Sequence, residues 1–293
     1  MDWLIEPFAL GFQQRALVGG VIAGMMASVV GTWLVLRGMS FFGDAFVHGV
    51  VPGIAAAVLF DFSPFLGAAI AAAVMVLGIE LVHRQTALNE DTAIGLLFVG
   101  MLALGVVIIS RSSSYTGSLT TILFGDALGV TSEGLVAQAA LAVVVVVLAV
   151  LLYRPLLALS FDRTKAEALG MRPALTHGVL LVLIAAAVIG SYQSVGTLLV
   201  FGLLVGPPAT AALLSRSVPM MMTMAVGIAV VSVWLGLVLS FHWGTAGSAT
   251  MAIVPIVLFF LTLAATRLLA HRRRRLARHR DTRAADAAAQ AAR

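Results

Sequence analysis

The sequence predicts an all-α, polytopic integral membrane protein, and three observations carry that prediction. Of 293 residues, 61% are hydrophobic and only 11% charged, with a mean hydropathy of +1.07; a soluble domain carries about a quarter charged residues. Apolar runs close to the roughly 20 residues that span a bilayer as a helix recur along the chain. Arg and Lys gather in alternate connections between those runs, as the positive-inside rule requires.

The apolar runs fall near 16–36, 43–60, 65–82, 93–110, 134–152, 174–190, 195–214, 219–240 and 248–269. These predict about nine crossings. Eight is the alternative, because the second run is short and interrupted by Pro52-Gly53. Orientation follows from the basic residues. With nine crossings and a cytoplasmic C-terminus, Arg37, Arg84, Arg154, Arg163, Lys165, Arg172, Arg216, Arg267 and the tail arginines lie inside, leaving only Arg15 and Arg111 outside. Small residues crowd several runs, as in Gly67 to Ala73 and Ala185 to Ala187, which lets helix backbones approach closely. Pro52-Gly53, Gly206-Pro207-Pro208 and Pro255 break hydrophobic runs; freed backbone groups there must find neighbours or line a cavity.

The permease-like part is expected over 1–270. A basic tail follows over 271–293, cytoplasmic and without regular structure. From His271 onward stand eight arginines against Asp281 and Asp286, so the net charge of +5 belongs to the tail. A run such as Arg272 to Arg275 directly after an apolar segment reads as a stop and an anchor to lipid headgroups, and nucleic acid is not an expected partner. No basic residue precedes Arg15, so the start lacks the positive region of a secretory signal peptide.

Chemistry concentrates in FFGDAFVHGVVPG, Phe41 to Gly53. Asp44 and His48 are one helical turn apart, which stacks both side chains on one face where a carboxylate and an imidazole can converge on a divalent metal. A carboxylate at mid-bilayer costs roughly 2.5–3.5 kcal/mol on insertion scales, so such a pair is a candidate functional site. Spacing alone fits equally an interfacial Asp beside a His satisfied by a backbone carbonyl. The chain has no cysteine, so any metal ligands are nitrogen or oxygen. No HExxH or GxSxG occurs, and the single lysine, Lys165, follows Thr164 rather than Gly. Metalloprotease, serine hydrolase and P-loop chemistry therefore lack their minimal motifs, and the chain reads as no enzyme.

Leu159 to Arg172, LSFDRTKAEALGMR, is the most charged connection between runs. Asp162 can N-cap a short helix that Gly170 terminates. Phe161, Ala166 and Leu169 then form an apolar set beside Arg163, Lys165 and Glu167. The alternative is a solvated connector. A weaker feature is the echo of Phe42 to Ala45 at Phe124 to Ala127.

Together these stretches resemble the permease subunit of the zinc/manganese-type ABC importers, whose fold is similar to that of the vitamin B12 and siderophore permeases. FFGDAFVHGVVPG resembles the family's F-x-G-D-A-x-x-H-A-V-x-P-G; NEDTAIG at Asn89 to Gly95 matches E-D-T-A-I-G; FDRTKAEALG resembles F-D-x-x-x-A-x-A-L-G; and Val195 to Ala211 resembles its last long signature. The resemblance runs from about Phe12 to Leu269. Gly49 stands where Ala is usual, and Pro207-Pro208 doubles a single Pro.

The resemblance implies that Asp44 and His48 line or gate a metal path. It also implies that Phe161, Asp162, Ala166, Leu169 and Gly170 belong to a coupling helix, over about 161–170, seated in a groove of a cytoplasmic ATPase. Glu90 and Asp91 fall at a helix start, where acids complement the helix dipole, a reading preferred over metal exit. Asp126, with Tyr115, falls on the external face where a metal-loaded binding protein docks. The implied assembly pairs this chain with a second permease copy or homologue, an ATP-binding subunit dimer and the external metal-binding protein in the plasma membrane. It binds no permanent cofactor and carries Zn²⁺ or Mn²⁺ as cargo, with imidazole tilting the expectation to zinc. The competing reading is a siderophore or vitamin permease, or a non-transporting scaffold subunit.

Overall fold

In the computed structural model, which describes residues 2–85, 90–110, 129–161, 163–195 and 197–291, the described residues form helices and turns and no strand. A short α1 (Asp2–Ile5) and a 3-10 turn (Glu6–Ala9) lead into α2 (Gly11–Leu36). Next come α3 (Ser40–Gly49), α4 (Val51–Leu59), α5 (Pro64–Gln85) and α6 (Glu90–Ile109). They are followed by α7 (Ser132–Leu151), α8 (Tyr153–Phe161) and α9 (Arg163–Ala168). The chain then forms α10 (Pro173–Val195), α11 (Thr197–Leu214), α12 (Val218–Trp243) and α13 (Gly247–Ala291).

The bundle is built around α2, which packs on α7, α10, α11 and α12. Its small residues explain how. Against the antiparallel α12, a methyl group at Gly24 would lie 3.2 Å from the Ala229 Cβ. One turn on, Ser28 Oγ donates to the Ala225 carbonyl at 3.4 Å. Against α11, Gly31 abuts the Leu204 carbonyl so closely that no side chain fits between them. Pro208 explains that contact: having no N–H, it frees the Leu204 carbonyl from its helical bond, and the bare Cα of Gly31 takes the space beside it. The two prolines thus sit inside a continuous α11 rather than breaking it.

Long-range contacts check the up-and-down course of the chain. At one end Arg15 Nε donates to the Val130 carbonyl at 3.1 Å, and the Trp3 and His242 rings stack with centroids 4.2 Å apart. At the other end Arg37 meets His177. His242 shares an end with Trp3 only if α11 traverses the bundle between α10 and α12. Among the described residues eight helical segments are long and apolar enough to cross a membrane, α3 and α4 counting together. The expected run at 195–214 corresponds to α11, an 18-residue helix that supplies the remaining traverse.

In the tail, residues 271–291 continue α13 as helix to Ala291. Ala and Arg are among the strongest helix formers, and no Gly or Pro occurs between Arg272 and Ala291.

Candidate metal site

The second run is a discontinuous helix. Pro52 lacks the N–H that would bond to the His48 carbonyl, and the Val50 N–H turns to that carbonyl instead, separating α3 from α4. The break falls directly after the residues singled out by the sequence. On α3, Phe42, Ala45, Phe46 and Val47 are buried, while Asp44 and His48 lie on the opposite side and are partly accessible.

His48 Nε2 lies 3.7 Å from Asp44 Oδ1. That is too long for a hydrogen bond, so neither group is satisfied by the other. His48 Nδ1 is buried and has no hydrogen-bond partner. The His48 side chain is 17% exposed and that of Asp44 35%. Phe98 of α6 packs against His48 with centroids 5.6 Å apart, and against Phe41 at 6.1 Å. The bare Cα of Gly49 abuts Met75 Sδ. Phe98 and Met75 both lie inside the apolar stretches of their helices, so the pair sits within the apolar depth of the bundle.

A divalent first-row ion held by one nitrogen and one oxygen at about 2.1 Å sets those atoms roughly 3.0–3.4 Å apart. The observed 3.7 Å reaches that with a small side-chain rotation. Among the described residues no group of three His, Cys, Asp or Glu side chains converges. Asp44 and His48 thus stand as a pair and not as part of a larger cluster among the described residues.

The second predicted stretch is partly as expected. Phe161 ends α8, and α9 begins at Arg163; Asp162 lies outside the described residues. Gly170 stops α9 as predicted, with φ +73, its N–H bonding to the Glu167 carbonyl at 2.9 Å and that of Met171 to the Ala166 carbonyl at 3.1 Å. The apolar set is split, however. Phe161 and Leu169 are 73% and 71% exposed, whereas Ala166 is buried. Ala166 faces inward, and only Phe161 and Leu169 project.

Glu90 and Asp91 open α6, the backbone position expected for acids at a helix start; their side chains, with Tyr115, Asp126 and the echo at 124–127, lie outside the described residues. Sequence reasoning gave no role to Phe98 or to His177. His177 is tied to Arg37, 140 residues away, and no local signal foretells that pairing. His242 lies with Nδ1 2.9 Å from the Val238 carbonyl, its ring against Trp3.

Residues 9–266 match the ABC 3 transport family, nearly the whole transmembrane part. The chain belongs to that family. The permease is 36% identical over 251 residues to the manganese transport system membrane protein MntC of Listeria innocua, covering 86% of this chain and 89% of that one. It is 32% identical over 267 residues to a probable iron transport system membrane protein of Haemophilus influenzae, covering 91% and 98%. Among solved structures it is similar to PsaBC from Streptococcus pneumoniae in complex with Fab, with a TM-score of 0.80 at 30% identity over 89% of this chain and 94% of that one. The resemblance drawn from the motifs is therefore correct at the level of family and fold. As a member, this permease is a membrane subunit and not an enzyme, and ATP hydrolysis belongs to a separate ATPase subunit. The family match ends at 266, so the basic continuation of α13 lies beyond it.

Proposed function

We propose that this chain is the translocating permease of an ATP-driven importer of divalent first-row metal ions, with manganese as the principal cargo. The observation that carries the reading is the Asp44–His48 pair: two potential ligands on one face of a broken helix, within the apolar depth of the bundle, with His48 Nε2 3.7 Å from Asp44 Oδ1 and not hydrogen-bonded to it. A polar pair left unpaired in such a place is costly unless something binds there. Asp44 supplies charge and His48 a neutral nitrogen, and the remaining positions are filled by water or by the second permease copy. Two protein ligands hold an ion weakly enough to release it. Relatives named for manganese and iron transport support that cargo class, and carboxylate chemistry favours manganese where imidazole alone favours zinc.

In this reading Phe161 and Leu169 project from the α8–α9 turn into a groove of a cytoplasmic ATPase dimer, and Asp162 and Gly170 bound the helix between them. ATP binding displaces α9, and α3 alternates the access of Asp44 and His48. Asp126 belongs to the external face that receives a metal-binding protein, Glu90 and Asp91 to the cytoplasmic end of α6, and the arginines beyond Leu269 to the cytoplasmic leaflet of the plasma membrane.

The test is uptake of radiolabelled manganese by vesicles carrying the assembled complex, with unlabelled zinc, iron(II) and manganese as competitors. Manganese competing best is the expected result. Iron(II) competing best transfers the cargo to iron, as the Haemophilus influenzae relative suggests. ATP-dependent uptake of an organic chelate but of no free ion would refute the metal path.

A further inference from the structure

The turn proposed to face the ATPase and the helix that carries the metal pair are far apart in sequence, and a hydrogen bond between α2 and α10 is among the contacts that join them. Arg37 Nη1 donates to His177 Nδ1 at 2.8 Å, and the contact is partly buried. A guanidinium only donates, so His177 Nδ1 is the acceptor in this contact.

What lies on either side of this bond gives it significance. Arg37 is the C-cap of α2, and the chain leaves it through Gly38 at φ +69. The Gly38 N–H bonds to the Val35 carbonyl and the Met39 N–H to the Leu34 carbonyl, each at 3.1 Å. This paired closure around a left-handed glycine is a Schellman motif, which sets the angle at which the next segment departs. That segment is α3, carrying Asp44 and His48. At the other side, α9 ends in the same motif around Gly170, so α9 and α10 are held at a set angle. Thr176, beside His177, has both its N–H and its Oγ1 bonded to the Arg172 carbonyl, at 3.0 and 3.2 Å, which secures the first turn of α10. Two stiff corners are thus bridged by a polar contact between α2 and α10, beside the direct packing of α10 on α3.

We propose that Arg37 and His177 are positioning residues that transmit the displacement of α9 to α3. The inference rests on the coupling role proposed for α9 above. The order of transmission runs from α9 through the Gly170 corner to α10, across the His177–Arg37 bond, and through the Gly38 corner to the helix that carries the metal pair. Coupling between sites is carried by chains of rigid elements joined at contacts with discrete arrangements.

The experiment uses the whole reconstituted complex. The chain has no cysteine, so Phe41→Cys gives a single spin-label position in this chain, on the exposed side of α3. The reading is the change at the label on ATP binding, without metal, together with metal imported per ATP hydrolysed. His177→Phe and Arg37→Met are expected to abolish the nucleotide response and lower uptake per ATP about tenfold, within the usual range of coupling between sites, while ATP hydrolysis continues. His177→Gln, whose side-chain carbonyl still accepts from Arg37, is expected to restore both. An undiminished response in His177→Phe overturns the proposal. So does equal loss of assembly in His177→Phe and His177→Gln, which makes the bond a folding contact. No nucleotide response in the labelled chain without further change overturns the link together with the role of α9. Full uptake by Asp44→Ala with the response intact faults the metal pair alone.

Discussion

Gly53 and Gly67 face each other where α4 crosses α5, the Cα of each lying against the backbone carbonyl of the other. The contact brings the two backbones together with nothing between, and it holds the second half of the broken helix against its neighbour. Gly53 closes the predicted metal motif, so the same glycine that ends the motif also docks it.

A methyl group at either position meets backbone, which cannot turn aside as a side chain can. Gly53→Ala and Gly67→Ala are each expected to destabilise the chain by about 1–3 kcal/mol, the usual cost of overpacking. Thermal unfolding in detergent checks this, and the two substitutions should be strongly non-additive because they open the same crossing. Gly100→Ala is the control, since a Cβ there meets nothing within 4 Å.

Asp44→Ala and His48→Ala each remove one of two ligands. Each is expected to lower metal uptake by at least about 100-fold, the upper end of what loss of a mere outer-sphere partner costs. Assembly with the ATPase is expected to persist, since neither side chain makes a hydrogen bond that holds the fold. Uptake in vesicles and co-purification of the subunits read the two effects separately.

Phe161→Glu with Leu169→Glu alters two side chains that are 73% and 71% exposed and bury little in this chain. Stability should change by no more than about 0.5 kcal/mol, as for surface positions, while binding of the ATPase subunit is lost. Ala166→Glu is expected to act differently. Ala166 is buried, so that change should unfold the α8–α9 turn itself. Limited proteolysis beside a binding assay distinguishes the two.

Gly49 stands where the family usually has Ala, and the structure supplies the compensating residue: a Cβ at 49 meets Met75 Sδ. Gly49→Ala is expected to reduce thermal stability and uptake, and Gly49→Ala with Met75→Val to recover most of both, since the shorter side chain vacates the clash. Failure of the pair to recover would mean that Met75 is not what keeps residue 49 a glycine.

Helix and loop positions were readable because bilayer burial imposes a long apolar run on each span. Asp44 and His48 were readable as a pair because helical periodicity alone stacks residues four apart. The Gly170 stop was readable because a left-handed terminus favours Gly. The split of Phe161 and Leu169 from Ala166 was not, since on so short a helix the pattern shows which residues are apolar but not which of them another helix covers.

Residue order therefore settles, without any fold, that this chain is a helical membrane protein with one acid and one imidazole able to share a face. It took the packed bundle to bring His177 to Arg37, Phe98 to His48 and Gly31 to the carbonyl freed by Pro208. Each of those contacts depends on how helices distant in sequence cross. Crossings are set by the summed fit of many small residues, a property of surfaces that no local spacing encodes.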